Sequence, residues 1–369
     1  MFLKNYKLAH WSLFLVVITI GALCLTIIGC SKANIPTAPL AVATTMIQGV
    51  DISFLPQVEE AGIVLYNLAG QPEDMLSTLK NAGCNTVRVR LWYAPADGHS
   101  GFNEVSRFLS QIKAKGMKVW LDIHYSDTWA DPGHQTPPAA WQHCSFAALK
   151  DSVYAYTKRM MELLQPDDVQ IGNEINGGFL WPEGSIDSLS NFKALLSSGI
   201  KAVRDVNANT KIIIHYAGLA GADWFFGQLT GLDYDMIGIS YYPVWHGTDL
   251  NLLQSTLATL GLKYQKRVVI AETAYPFTLS WNDETPNVVG EASQLVPGYP
   301  ASPQGQLDFM VKIKDISTSF AAGAGFCYWG AADIAFKGPT ATNGSNWENQ
   351  AFYDFSNHAL PVLNVFNHS

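Results

Sequence analysis

Eight apolar runs, each short enough for a strand and separated from the next by helical spacing, recur along this chain and constrain its fold more than any other feature. The predicted strands cover residues 46–53, 85–92, 117–125, 168–174, 210–216, 235–242, 268–272 and 325–329. The predicted helices between them cover 72–82, 103–115, 145–164, 188–206, 222–229, 251–264 and 304–321. Period separates the two kinds of segment, because apolar residues return every second position along a half-buried strand and every third or fourth along a helix. Gly83, Gly116 and Pro166 supply stops where helices must end. Strands alternating with helices, joined by right-handed crossovers, place every strand's C-terminal end on one side. Eight such units over residues 46–369 predict an α/β fold, a single (β/α)8 TIM barrel with elaborated loops at that mouth. An open doubly wound sheet is the competing arrangement. It calls for a Gly-rich turn after its first strand, and Asp51-Ile52-Ser53-Phe54 does not supply one.

What stands at the predicted strand ends is chemically unusual. Asp51, Arg88, Arg90, Trp92, Asp122, His124, Tyr125, Asn173, Glu174, His215, Tyr241, Tyr242, Glu272 and Trp329 all fall there, and a barrel would gather them into one pocket. Any one of them alone has an ordinary structural explanation; their recurrence at equivalent positions makes a site. Two are carboxylates that close apolar runs, Glu174 after 168–173 and Glu272 after 268–271, where a charge is costly unless it is paired or used. Gly172 lets the chain bend just ahead of the first. Strands four and seven face each other across a barrel mouth. One glutamate from each therefore fits paired-carboxylate chemistry, in which one attacks the anomeric carbon and the other donates a proton to the leaving oxygen. Those roles demand different pKa values. Arg88 or Arg90, with Tyr241 or Tyr242, would keep the nucleophile ionised, and Asn173 is placed to donate to a sugar hydroxyl.

The remainder bounds where and on what such a site acts. Lys4 and Lys7 precede an apolar run from Trp11 to Ile28, and Ile27-Ile28-Gly29-Cys30 resembles a bacterial lipoprotein cleavage box with Cys30 as the lipidated residue. An uncleaved membrane anchor is the alternative reading. The chain thus divides into a leader (1–29), a Pro-containing tether (30–45) and the barrel (46–369), with the body outside the cytoplasm and held to a membrane through Cys30. The formal charge of −8 becomes −10 once Lys4 and Lys7 are removed, which argues against nucleic acid and other polyanions as partners. A low charged fraction (15%) beside a high aromatic one (12%) suits a neutral, ring-shaped ligand. Trp92, Trp129, Trp181, Trp245 and Trp281 fall in or beside loops at the predicted mouth, where rings can stack on sugar faces. Cys84, Cys144 and Cys327 are an odd set, and Cys84 and Cys327 read as small core residues rather than a disulfide.

Several long blocks then resemble a known family. They are residues 121–133, which include Asp122, His124, Trp129 and Asp131, then Gly172-Asn173-Glu174-Ile175, Ser240-Tyr241-Tyr242-Pro243, Glu272-Thr273-Ala274-Tyr275-Pro276, and residues 344–350 with Trp347. Together, over residues 48–366, they resemble the endo-β-1,4-galactanases of glycoside hydrolase family 53. The resemblance implies a retaining barrel enzyme that cuts β-1,4-galactan, the side chain of type I arabinogalactan; a monomer that needs no cofactor for its chemistry is expected. It implies Glu174 as acid/base and Glu272 as nucleophile. Asn173, Arg88 or Arg90, His124, Tyr241 or Tyr242 and Trp329 are implied beside the substrate. Some bacterial relatives hold a structural calcium ion. Asp283, Asn287, Ser345 and Glu348 are the oxygen donors this chain offers, although its 281–287 loop carries fewer acids than that pattern. Gly330-Ala331-Ala332 also replaces the Glu-Pro that often follows the last strand's Trp. Another barrel glycanase, such as a mannanase or cellulase, and a non-catalytic glycan-binding lipoprotein are the alternative functions. A metal-dependent barrel hydrolase is disfavoured, since no His-x-His ends the first strand.

Overall fold

The computed structural model describes residues 45–367; the leader, almost all of the tether and the lipidation residue Cys30 lie outside the described residues. In chain order the elements are β1 (Ile47–Asp51), α1 (Leu55–Glu60), α2 (Met75–Asn81), β2 (Thr86–Leu91), α3 (Phe102–Ala114), β3 (Lys118–Ile123), α4 (Phe146–Leu164), β4 (Asp168–Ile171), α5 (Leu189–Val206), β5 (Lys211–Ala217), α6 (Ala222–Gln228), β6 (Met236–Ser240), α7 (Pro243–His246), α8 (Leu250–Tyr264), β7 (Arg267–Glu272), α9 (Pro303–Thr318) and β8 (Gly323–Tyr328). Every neighbouring pair of strands is parallel, and β8 pairs back onto β1, so the sheet closes into a barrel. The eight predicted strands and seven predicted helices are all present. Two short helices, α1 and α7, were not anticipated because each lies inside a loop and carries a proline in its first two positions instead of an apolar repeat.

Caps explain several helix boundaries. Asp74 accepts from the Ser77 amide at 2.9 Å ahead of α2, and Ser145 from the Ala148 amide at 3.3 Å ahead of α4. Gln165, left-handed at φ 47°, ends α4 just before Pro166.

The core has two layers separated by the sheet. Outward strand positions such as Val87, Val89, Val169, Ile171, Ile212 and Ile214 pack against the helices. Inside the barrel, Ile47, Trp120, Ile213, Met236, Val269, Ala271, Ala324 and Cys327 form a separate apolar plug toward the N-terminal ends of the strands. Inward positions turn polar toward the mouth, with Asp122 above Trp120 on β3 and His215 above Ile213 on β5. Truncating an outward position such as Ile171 to alanine is expected to cost about 2–5 kcal/mol.

This layering corrects one expectation. Residues 168–171 alternate like a half-buried strand, yet all four are buried, and Gln170 is fully so. In a closed barrel the polar face of a strand looks into a hydrogen-bonded interior, not into water. The second correction is at the end of β4, which stops at Ile171. Gly172, at φ 76°, turns the chain away from the sheet, so Asn173 and Glu174 stand on a bend beyond the strand. Cys84, Cys144 and Cys327 are all free thiols, the first and last buried.

Candidate active site

A cleft of about 740 Å³ opens at the C-terminal mouth of the barrel, and both glutamates line it. One carboxylate oxygen of Glu174, one of Glu272 and a ring nitrogen of His215 all lie within 4.8 Å of one another. This is the approach distance of two carboxyl groups that attack and protonate the same bond. A cation among these three groups would face Arg88, whose guanidinium already lies 2.8 Å from Glu272 Oε1.

Arg88 is the hub of the nucleophile side. Buried at 1% exposure, it donates from Nη1 to Asp51 Oδ2 at 2.9 Å and from Nη2 to Asp122 Oδ2 at 2.8 Å. It also donates from Nη2 to Asn173 Oδ1 at 2.9 Å and from Nε to Gln170 Oε1 at 3.2 Å. Burial alone would depress its pKa, but Asp122, Glu272 and Asp51 together push it well above the ordinary guanidinium value. The same fork works in reverse on Asp122. Burial would raise that carboxyl, whereas Arg88 and His124 hold it below its usual range. Three carboxylates around one cation leave this half of the site rich in negative charge.

The two glutamates consequently differ in partners. Glu272 has Arg88 on Oε1, and the Tyr242 phenol donates to its Oε2 at 2.8 Å. Burial lifts its pKa to about 7, even with Arg88 and Tyr242 drawing it down. Among the described residues the Glu174 carboxyl has one hydrogen-bond partner, the Ser240 hydroxyl, which donates to Oε1 at 2.6 Å. Burial first, and then the negative charge of Glu272, push Glu174 up to about 8. The proton the pair shares at neutral pH therefore resides on Glu174. Glu174 is also left-handed at φ 46°, a conformation rarely adopted by a residue with a side chain, and it is held there by the surrounding hydrogen bonds.

His215 supports that side. Its ring is fully buried and kept uncharged, since burial and the nearby Arg88 hold its pKa well below the ordinary imidazole value. Nε2 lies 2.8 Å from Ser240 Oγ, and Nδ1 lies 2.9 Å from Asn173 Oδ1. Gly238 on the neighbouring strand makes room for the apolar plug below the ring, because a Cβ there would come within 2.9 Å of Ile213 and 3.2 Å of Ala271.

Of the residues expected to face substrate, Asn173, Tyr242 and Trp329 line the cleft. Asp51, Arg88, Asp122 and His215 stand one layer back and act through the web just described. His124 is behind the wall as well, with Nε2 3.0 Å from Asp122 Oδ2 and Nδ1 accepting from the Trp92 indole at 3.2 Å. Arg90 lies flat between Phe54, Trp92 and Trp129, at 4.5, 4.8 and 4.1 Å from their ring centres. Tyr241 points away from the cleft, its phenol donating to the Gly247 carbonyl at 2.7 Å. Among the expected rim tryptophans, Trp129 and Trp245 line the cleft, while Trp92, Trp181 and Trp281 do not. Sequence reasoning gave no role to Gln170 or to Ser240, the latter quoted within a block, because the signal of each is an inward strand position. It quoted Trp347 within a block without a role, yet Trp347 packs 4.5 Å from Trp329 and 5.8 Å from Trp245 along the cleft wall.

The proposed cation ligands are set apart from this centre. Asp283 Oδ2, Asn287 Oδ1 and Glu348 Oε2 are buried oxygens without a hydrogen-bond partner. A Cβ on Gly344 would fall 2.0 Å from Asp283 Oδ2, so glycine there is required by the close approach. Orphaned hard oxygens of this kind fit a calcium ion, with Asp283, Asn287 and Glu348 as its holders. Ser345 is placed differently, accepting from the Trp347 amide at 3.2 Å and lining the cleft.

A closed eight-stranded barrel that brings two glutamates this close, one beside a cation and one beside a hydroxyl, belongs to the class of paired-carboxylate glycoside hydrolases. More specifically, the chain belongs to glycosyl hydrolase family 53, whose profile matches residues 47–366. It is 37% identical over 355 residues to the arabinogalactan endo-β-1,4-galactanase of Cellvibrio japonicus, covering 90% of this chain and 94% of that one. It is 35% identical to the endo-β-1,4-galactanase of Bacillus subtilis, covering 88% of this chain and 86% of the relative. The solved family 53 catalytic domain of Ignisphaera aggregans superposes with a TM-score of 0.82 at 40% identity, over 87% of this chain and 95% of that one.

Proposed function

We propose that this protein hydrolyses internal β-1,4-galactosidic bonds of galactan and type I arabinogalactan with retention of anomeric configuration. The observation that carries the reading is the pair of carboxylates within 4.8 Å, of which only Glu272 has a cation beside it. Glu272 attacks the anomeric carbon while Glu174 gives its proton to the departing oxygen. Water, deprotonated by Glu174, then releases the sugar from Glu272. The bond broken is the glycosidic C–O, and the proton returns to Glu174 at the end of the cycle. Asn173 amide and Tyr242 phenol border the reacting sugar, and Trp129, Trp329, Trp347 and Trp245 give the neutral polymer an aromatic wall. The test is product analysis on linear galactan, arabinogalactan, mannan and a β-glucan, with the anomer followed in real time. β-Galactose products that form first and mutarotate later are expected. Inversion, or turnover of mannan in preference to galactan, would remove the reading.

The calcium ion is proposed as structural, tying the 281–287 loop to the C-terminal segment through Asp283, Asn287 and Glu348. Stripping divalent cations with a chelator is expected to lower the melting temperature by about 2–4 °C, restored by Ca²⁺. The galactanase is further proposed to be exported and lipid-anchored at Cys30, supported by Gly29-Cys30 after the apolar run. Labelled palmitate incorporated into the full chain but not into Cys30→Ala would bear this out.

A further inference from the structure

Beside the catalytic pair, the cleft wall carries two more carboxylates: Asp131, which has His134 Nδ1 at 3.0 Å, and Asp333, which has nothing to hold it. Asp333 lines the cleft at 3% exposure, and its side chain accepts no hydrogen bond among the described residues. Aspartate is almost never buried unpaired. Its turn is rigid: the Asp333 amide donates to the Gly330 carbonyl at 3.0 Å, and the Ala331 amide donates to Asp51 O at 3.3 Å. The chain places this turn where Gly330-Ala331-Ala332 follows Trp329. Burial pushes the Asp333 carboxyl up to about 7, with the Arg90 cation drawing it down only in part. Arg90 itself has a buried Nη2 without a partner, so donor and acceptor sit in one neighbourhood without closing an ion pair.

The charges Asp333 feels are those of Arg90 and Asp51, on β2 and β1, not those of Glu174 or Glu272. Its turn is tied to Asp51 on β1, and the close group of Glu174, His215 and Glu272 does not include it. It follows β8, across the barrel from β4, whose end carries the acid that serves the leaving group.

We propose that the Asp333 carboxylate accepts hydroxyl hydrogen bonds from a galactosyl unit on the glycone side, beyond the one being attacked. Trp129 and Trp329 frame that position, their rings 6.3 Å apart. A sugar hydroxyl supplies the donors the carboxylate lacks, and Arg90 behind it steadies the negative form. The inference rests on the galactanase reading and makes Asp333 a substrate-binding residue.

Two substrates with the same leaving group test it. Dinitrophenyl β-galactoside fills only the reacting glycone position, whereas dinitrophenyl β-galactotrioside reaches beyond it. For Asp333→Ala, kcat/KM on the trioside should fall roughly ten- to a hundred-fold, mainly through KM. The monoside should be turned over as by the unaltered protein, which also reports correct folding. Asp333→Asn, whose amide oxygen still accepts, should recover part of the loss. Equal losses on both substrates, or an unchanged rate on the trioside, would overturn the inference. An unaltered protein that leaves linear galactan intact would defeat the galactanase reading and this inference with it. Galactan cleavage combined with an unaffected Asp333→Ala would defeat the inference alone.

Discussion

Glu272 and Glu174 are the same side chain at the same mouth, yet the two sides of the cleft treat them oppositely. On the side built from β1, β2, β3 and β7, Arg88 gathers Asp51, Asp122 and Glu272, and Tyr242, just past the end of β6, reaches over to add a phenol donor. On the side built from β4, β5 and β6, the neutral His215 and Ser240 give Glu174 a single hydroxyl. A carboxylate beside a cation gives up its proton the more readily. One beside a hydroxyl and facing another carboxylate keeps its proton. The contrast teaches that acid and nucleophile are assigned by charges a layer behind the cleft, not by the glutamates themselves.

The comparison breaks most readily at Glu272. Replacing it by glutamine should reduce galactan turnover at least about 10⁴-fold with an unchanged circular dichroism spectrum, and substantial residual activity would contradict its role. Glu174→Gln should lose about 10²- to 10⁴-fold on galactan but far less on a dinitrophenyl galactoside, whose leaving group needs no proton. If both substrates lost equally, the division of roles would be wrong.

Two milder substitutions sharpen the contrast through pH profiles. Tyr242→Phe removes a donor that favours ionised Glu272, so the acidic limb of kcat/KM should move to higher pH. Ser240→Ala removes the donor that favours ionised Glu174, so the basic limb should move to higher pH. Each shift is expected to stay below about one pH unit, and movement of the opposite limb would reassign the proton.

The smallest effect is on stability. Because folding raises Glu174 from its ordinary 4.5 to about 8, the folded chain binds more protons than the unfolded one between those values. This contribution is complete below pH 4.5 and disappears as pH rises through 8. Glu174→Gln should therefore melt about 2 °C or more above the unaltered protein at pH 8 and little differently at pH 4, read by thermal scans. A difference that stayed constant across pH would leave burial of Glu174 uncharged in both forms.

Much of this architecture can be read from period and punctuation. The eight strand-like runs end within a few residues of β1 to β8 because outward positions such as Val169 and Ile171 must be apolar to meet the helices. Asn173, Glu174 and Glu272 stand out for a related reason, since polar groups directly after apolar runs are conspicuous. Gln170 and Ser240 are not conspicuous. Each occupies an inward position whose polarity matters only once the barrel closes, and a linear chain does not reveal which face becomes the inside. Arg88 and Arg90 illustrate the same difficulty. Both face inward from one strand, and only depth separates the one bonded to Glu272 from the one stacked between Phe54, Trp92 and Trp129.

By itself the sequence determined the count of βα units, the mouth at which their ends meet and the two glutamates delivered there, because local periodicity and strand polarity suffice for these. Only the tertiary structure decided which arginine and which tyrosine serve Glu272, and that Asp333 is left without a partner in the wall. These are matters of distances of a few ångströms between residues far apart in the chain. Electrostatic influence at that range depends on closure of the barrel, which no single segment encodes.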